Sequence, residues 1–222
     1  MKCYCYTTES DFILCVEDVE TEQLEEAIQH AWFQKNDNKF LKTYPMKDMD
    51  NGVTEEDKEC IKRNFSLLGP TMFESMMGFD WEMALSLLAR KFKENDIEWY
   101  IIGSASEAVL GVEVNPHDLD IVVHTRDFIK VKHIFIDCVV EPFVDNKGTW
   151  LVRYFGRLCV GGAMIDIAAD EKMNLENRQH QYESVSWNGF DIYIEPLQVR
   201  YQTELDRNRA ERIEAIEKYM NS

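Results

Sequence analysis

The chain has 222 residues, 45% of them hydrophobic and 12% aromatic, a composition that buries a core and excludes intrinsic disorder. Its 41 acidic residues outnumber 24 basic ones, and the formal net charge of −17 opposes a phosphate backbone at long range, which argues against nucleic acid as a partner. No run of about 18 apolar residues offers a membrane span, and MKCYCYTTESDF lacks the apolar stretch and small-residue cleavage site of a secretory signal, so the expected setting is cytoplasmic.

Residues 1–75 read as a small accessory module. Cys3–Tyr6 and Phe12–Val16 are short strand-like runs, and Thr21 caps a helix predicted to reach Gln34. Lys42–Gly52 holds Pro45, Asn51 and Gly52 and is predicted as a loop. Thr54 opens a second helix, with Thr54 and Asp57 as a capping pair and Ile61, Phe65 and Leu68 at helical spacing; Gly69-Pro70 is predicted to end it. No chemistry is legible here, so this module is expected to serve interaction, including with a protein partner. The six cysteines (Cys3, Cys5, Cys15, Cys60, Cys138 and Cys159) are scattered, and Cys3 and Cys5 have no second pair or histidine cluster to complete a zinc site. Reduced thiols are expected.

Residues 76–222 form the second expected unit. Asp80 caps a helix carrying Trp81, Ala84, Leu85, Leu88 and Phe92, and Trp99–Ile102 is an apolar strand. Ser104–Leu110 is predicted helical, stopping at Gly111. Leu119–Val123 is the next strand, a helix follows around Asp127–Ile136, and further strands are predicted at Cys138–Val144, Trp150–Phe155 and Ala163–Ala168. Tyr182–Trp187 and Phe190–Ile194 flank Asn188-Gly189, a two-residue hairpin signal. Glu204–Met220 reads as one charged helix with Leu205, Ile213, Ile216 and Met220 on its apolar face. The fold class expected is α+β, with α/β-like alternation: a mixed sheet flanked by helices.

Three features belong together. Ile101-Ile102-Gly103-Ser104 takes an apolar strand through a tight turn into a helix, whose N-terminal amides and dipole suit phosphate. In Pro116-His117-Asp118-Leu119-Asp120-Ile121, strand alternation puts Asp118 and Asp120 on one side, where two carboxylates repel unless a cation lies between them; hard oxygens suit Mg²⁺ or Mn²⁺. Asp48-Met49-Asp50 repeats the spacing without a strand behind it and is read as solvated surface. Asp166 stands alone in the apolar run Met164–Ala168, a position that demands a metal, a cleft, an exposed edge, or pairing with Arg153 or Arg157.

The ordered series Gly103-Ser104, Gly111, Asp118-Leu-Asp120-Ile and Asp166 resembles the DNA polymerase β type nucleotidyltransferase superfamily. The stretch WYIIGSASEAVLGVEVNPHDLDIVV is most similar to its minimal and antibiotic-type bacterial members and also to the Leu-Gly segment of tRNA-CCA-adding enzymes. The resemblance spans roughly Asp80 to Ile194. It implies that Gly103 and Ser104 hold an NTP, that Asp118, Asp120 and Asp166 are the metal-binding and catalytic carboxylates, and that a nucleoside monophosphate passes to a hydroxyl of a small-molecule or protein acceptor. A catalytically silent binding or regulatory relative is the alternative. One departure stands out: many minimal members carry Arg after the turn, where this chain has Ala105, Ser106 and Glu107, and Glu107 has to face away from a triphosphate. His117 is a substrate-contact candidate or a plain turn residue. Arg126, Arg153, Arg157 and Lys172 are the phosphate-partner candidates. Trp81, Trp99, Trp150 and Trp187 and the methionines are expected in the core, with Trp187, Phe190 or Tyr193 as the candidate base-stacking ring.

Overall fold

The computed structural model describes residues 1–49, 52–76, 78–177 and 182–221. The first strands, β1 (Lys2–Thr7) and β2 (Asp11–Glu17), pair antiparallel, and Phe12, Leu14 and Val16 alternate into the core. Helix α1 (Glu22–His30) starts where Thr21 accepts the Leu24 amide, but it stops four residues before Gln34. Trp32 takes a left-handed backbone, φ 66°, which turns the chain into β3 (Gln34–Asn36) and β4 (Lys39–Pro45).

Strand β4 and the short helix α2 (Met46–Met49) replace most of the loop expected over Lys42–Gly52. Phe40 and Tyr44 alternate inward and the strand pairs with β2 along its length, ending where Pro45 meets Asp11. Asp48 lies half-buried on α2, while Asp50 and Asn51 are outside the described residues. The four strands form an antiparallel sheet in the order β1-β2-β4-β3.

Helix α3 (Glu55–Ser75) opens with the expected capping box of Thr54 and Asp57 and continues through Gly69-Pro70 instead of ending there. An interior proline costs about 3 kcal/mol, which burial of Met72 and Phe73 in the next turn offsets at about 1.5–3 kcal/mol each. Gly69 lets α3 lie directly on β1: a Cβ there would sit 3.0 Å from both Cβ and Sγ of Cys3. Gly69→Ala therefore pushes helix from strand, and chemical denaturation is expected to show a loss of about 1–3 kcal/mol.

Helix α4 (Trp81–Glu94), capped by Asp80, leads into β5 (Trp99–Ile102), α5 (Gly103–Leu110) and β6 (Leu119–Val123). Helix α6 (Phe128–Ile134) is shorter than expected, with 3₁₀ turns on either side. Then come β7 (Val139–Asp145), β8 (Tyr154–Val160) and β9 (Ala163–Ala169). The strand expected over Trp150–Phe155 begins only at Tyr154, because 146–149 form turns and Asn146 ties the segment back by donating to the Val152 carbonyl. Strands β10 (Glu183–Trp187) and β11 (Phe190–Ile194) make the expected hairpin, with Asn188 and Gly189 both at positive φ.

The helix expected over Glu204–Met220 is two, α7 (Leu197–Asp206) and α8 (Ala210–Met220). Asn208 at φ 54° breaks them, with its amide donating to the Leu205 carbonyl and that of Arg209 to Glu204, the Schellman closure of α7. Only Ile216 of the expected apolar face is fully buried; Leu205 and Met220 are exposed.

The large sheet runs β10-β11-β5-β6-β9-β8-β7 and is mixed, with β5 antiparallel to β6 and β6 parallel to β9. The α+β architecture expected from the sequence is therefore the one observed. One apolar core runs through both sheets, and α3 packs on β1 of the small sheet and β7 of the large one. We propose the boundary near residue 75 as a division of topology, with one sheet built on each side of it.

Candidate functional site

The site is assembled where β5 ends, where β6 begins and at the middle of β9. Strand β5 passes into α5 through Gly103, whose φ of 69° suits glycine and whose missing side chain leaves room for Asp120; a Cβ at 103 would collide with that carboxylate. No side chain caps the first turn of α5, and the Ser104 hydroxyl makes no hydrogen bond among the described residues, so these donors remain open toward the carboxylates. Asp118 precedes β6, Asp120 lies within it opposite Ile102, and parallel pairing of β6 with β9 sets Asp120 beside Asp166. Carboxylate oxygens of all three aspartates lie within 4.8 Å of one another. The sheet register thus brings Asp118, Asp120, Asp166 and the Gly103-Ser104 turn to one place.

This clustering is electrostatically costly. Burial, then the charges of Asp118 and Asp166, push the Asp120 carboxyl well above the ordinary carboxylate range. Asp120 accepts no hydrogen bond and makes no ion pair among the described residues, and it opens on a cavity. An unpaired carboxylate among two others, all hard oxygen donors, fits a divalent cation such as Mg²⁺ or Mn²⁺. His30 of α1 stands 3.3 Å from Asp118, and that hydrogen bond raises the pKa of its imidazole.

Asp166 meets two of the alternatives for its strand position at once. It faces the carboxylate cluster, and both its oxygens also accept from Arg157, at 2.5 and 2.9 Å. Strand β9 is interior, so the exposed-edge alternative does not apply. Arg157 is 1% exposed and also donates to Glu141 at 2.6 Å and to the Ala31 carbonyl. Lys42 and Tyr44 of β4 close the chain of contacts on Glu141. Burial opposes the Glu141 charge, but Arg157 and Lys42 outweigh it and hold its carboxyl below its ordinary range.

Residues 1–75 therefore reach the site, through His30, Trp32, Lys42 and Tyr44, where the sequence showed no chemistry. Burial, then the Arg157 charge, push the Lys42 amine down to about 8. The unfolded chain then holds this proton more tightly between about pH 8 and 10.5, so the Lys42 contribution to stability rises with pH through that window. Urea titrations across it are expected to show wild type gaining on Lys42→Met; a constant difference would refute the assignment.

A cavity of about 720 Å³ opens over the cluster. On the α5 side stand Gly103, Ser104 and the arginines of the α7–α8 junction, Arg207, Arg209 and Arg212. Arg207 has no acidic partner among the described residues, and Arg209 and Arg212 make only long contacts of 3.5 and 3.4 Å, to Glu204 and Glu107. Glu107 is fully buried against Arg200 and does not line the cavity, so the departure noted in the sequence puts no exposed carboxylate there. Burial raises its carboxyl pKa.

The phosphate-partner candidates lie elsewhere: Arg126 pairs with Glu98, Arg153 with Asp145 and Glu171, Lys172 with Asp170, and Arg157 serves Asp166. The signal that identifies the others is Arg207-Asn-Arg209-Ala-Glu-Arg212, a basic cluster in an acidic chain around an asparagine that breaks the helix. His117 is exposed, lines the cavity and contacts the Met76 carbonyl through Nδ1.

The opposite wall holds Trp32, Trp150, Leu151 and Phe155. Trp150 is thus a cavity residue and not core, and Trp187, Phe190 and Tyr193 lie outside the cavity, Trp187 stacking on Trp81. Trp99 is buried as expected, whereas Trp81 and Trp187 are half-buried; Met83 and Met220 are exposed. The cysteines are free thiols, and no helix among the described residues is long and apolar enough to cross a membrane.

Glu98, His124 and Glu176 also gather ligand atoms within 4.8 Å. There the Arg126 amide donates to His124 Nδ1, which leaves the proton on Nε2, facing Glu176, and Glu98 is taken by the Arg126 guanidinium. That group is a hydrogen-bonded surface cluster.

No family model matches the chain, and no curated protein matches its sequence. Among solved structures, it is similar to a Thermotoga maritima protein described by inference as a nucleotidyltransferase. The identity is 22% and the TM-score 0.49, over 64% of this chain and 93% of that one. It is also similar to an antigenic nucleotidyltransferase-like protein from Paracoccidioides brasiliensis, at 13% identity and a TM-score of 0.40, over 59% of this chain and 72% of that one. Likeness at this level does not bear on the chemistry of the site.

Proposed function

We propose that the protein is a metal-dependent nucleotidyltransferase, of the minimal and antibiotic-type kind that its motifs resemble, transferring a nucleoside monophosphate from an NTP to a hydroxyl of a small-molecule or protein acceptor. The observation that carries this reading is the convergence of Asp118, Asp120 and Asp166 beside the open first turn of α5. Those three carboxylates would hold Mg²⁺ or Mn²⁺. When bound, such ions neutralise the transferring phosphoryl group and stabilise the entering and leaving oxygens.

The chain's own groups supply the rest. The amides after Gly103, the Ser104 hydroxyl and Arg207, Arg209 and Arg212 hold the triphosphate. The acceptor oxygen forms a bond to the α-phosphorus as the bond to the departing pyrophosphate breaks, and the hydroxyl proton passes to Asp166. Arg157 occupies one direction on each Asp166 oxygen, and a carboxylate has about four acceptor sites, so a proton still has a place to go. A local arginine cluster does not make a nucleic-acid track in a chain of net charge −17.

Calorimetry with ATP, GTP, CTP and UTP in Mg²⁺ or Mn²⁺ tests the reading. Metal-dependent binding, lost in Asp118→Ala/Asp120→Ala, is expected; no binding of any NTP would sink it. The same Arg157 contacts favour a second reading, a catalytically silent binding or regulatory protein that meets a partner through residues 1–75. It predicts nucleotide binding that does not require a divalent ion.

A further inference from the structure

The cavity is divided by chemistry, and the division follows the sheet. Strand order β5-β6-β9-β8 puts the Gly103 turn at one end, Asp120 and Asp166 in the middle, and Phe155 at the other end. Neighbouring strands lie about 4.8 Å apart, so turn and aromatic ring are about 14 Å apart across the carboxylates. Every cavity-lining arginine comes from α7, α8 or the turn between them; α7 packs on α5, at the turn end. At the other end Phe155 shares a face of β8 with Arg157, next to Asp166 on β9. Anion-binding donors and aromatic surface therefore flank the aspartates from opposite sides.

The aromatic end is built from two distant parts of the chain. Trp32 follows α1 and Trp150 precedes β8; their rings meet edge to face at 4.3 Å, with Phe155 5.7 and 5.1 Å from them. Phe155 is buried, but Trp32 and Trp150 remain 45% and 38% exposed and Leu151 73% exposed, an open apolar surface at the mouth of a polar cavity. Trp32 also sits at φ 66°, a region that Gly, Asn and Asp enter far more readily than tryptophan, so local backbone preference does not account for the residue.

An in-line displacement at phosphorus places the attacking oxygen opposite the leaving one. If pyrophosphate departs toward the arginines, the acceptor enters over the tryptophans. We propose that Trp32, Trp150 and Leu151 form the acceptor subsite, and that the acceptor is a neutral small molecule presenting an apolar ring face beside its hydroxyl. This deepens the nucleotidyl-transfer reading and rests on it. It also gives residues 1–75 a role in substrate choice, since Trp32 comes from them. An anionic acceptor is disfavoured, because Arg207, without an acidic partner among the described residues, and the loosely paired Arg209 and Arg212 stand at the opposite end.

Phenyl β-glucoside, a neutral ring compound with free hydroxyls, is the probe. Its affinity is measured by calorimetry on wild type, Trp150→Ala and Trp32→Asn, alongside ATP and inorganic triphosphate with Mn²⁺. Trp150 lies in an exposed turn segment and asparagine tolerates the backbone at 32, so both variants are expected to fold; thermal unfolding checks this. The expected result is probe affinity weakened about tenfold in each variant, with ATP and triphosphate unchanged. Weakened ATP with unchanged triphosphate would overturn the proposal, since the tryptophans would then hold the nucleobase. Absence of probe binding to wild type, or equal binding to all three proteins, would also overturn it. Probe binding that depends on the tryptophans in a protein that ignores every NTP would fell the transfer reading and leave the ring subsite standing.

Discussion

Asp120→Asn is expected to lower the proposed nucleotidyl transfer by on the order of a thousandfold while making the metal-free protein harder to unfold. Both effects have one origin. Asp120 is a half-buried carboxylate at the cavity, beside Asp118 and Asp166 and with no ion-pair or hydrogen-bond partner among the described residues, so its charge is useful only when a cation is present. The sign of the pH dependence follows. A folded-state pKa raised above the unfolded 3.8 means that the folded protein holds this proton longer. The associated stability is present at low pH and is lost as pH rises through the raised value. The advantage of Asn over Asp in metal-free buffer is therefore expected to grow as pH climbs out of the carboxylate range, and to shrink when Mn²⁺ is added, because the cation stabilises wild type, with three carboxylates, more than the variant with two. Parallel urea titrations with and without Mn²⁺ read this directly. A variant that is destabilised at neutral pH without metal would show that Asp120 is held by a protein contact and that the cation argument is wrong.

Arg157→Met is expected to produce the largest loss of stability of any single change at the site, about 3–5 kcal/mol. The guanidinium is buried and donates to two buried carboxylates, Glu141 and Asp166, and to the Ala31 carbonyl. Removing it leaves the three acceptors with fewer donors and places Asp166 unscreened beside Asp118 and Asp120. Glu141 keeps Lys42 and Tyr44 but loses a counter-charge, so adding Glu141→Gln is expected to recover part of the loss in the double variant, a non-additivity that a double-mutant cycle measures. Full additivity, or a single-variant loss below about 1 kcal/mol, would mean that the pair is solvated.

The legible part of the fold was local. Thr54 with Asp57, Asp80, Gly111 and Asn188-Gly189 act within a few residues of themselves, and each marks the boundary that the structure has. Predictions failed where packing overrode a local signal. Gly69-Pro70 does not end α3 because Met72 and Phe73 have a core to enter and Cys3 needs the room. Asn208 splits the final helix although its surroundings are strongly helical in composition, because a single left-handed residue closes α7.

The site divides in the same way. Gly103, Ser104, Asp118 and Asp120 were legible because the turn and the alternation of one strand bring them together, and Asp166 because a charge in an apolar strand requires a reason. His30, Trp32, Lys42 and Tyr44 were illegible: the contacts that tie them to Asp118, Glu141 and Trp150 span more than 85 residues of sequence, and no periodicity encodes such contacts. The sequence by itself determined the site strands β5, β6 and β9, the turn and the acidic residues, since these follow from spacing and side-chain chemistry over short stretches. Tertiary structure alone decided that β6 runs parallel to β9 and aligns Asp120 with Asp166. It alone decided that Arg157 answers Asp166, and that one end of the cavity is basic and the other aromatic. The physical reason is that register and packing are set by burial of surfaces far apart in the chain, whose free energies add only once the whole core has formed.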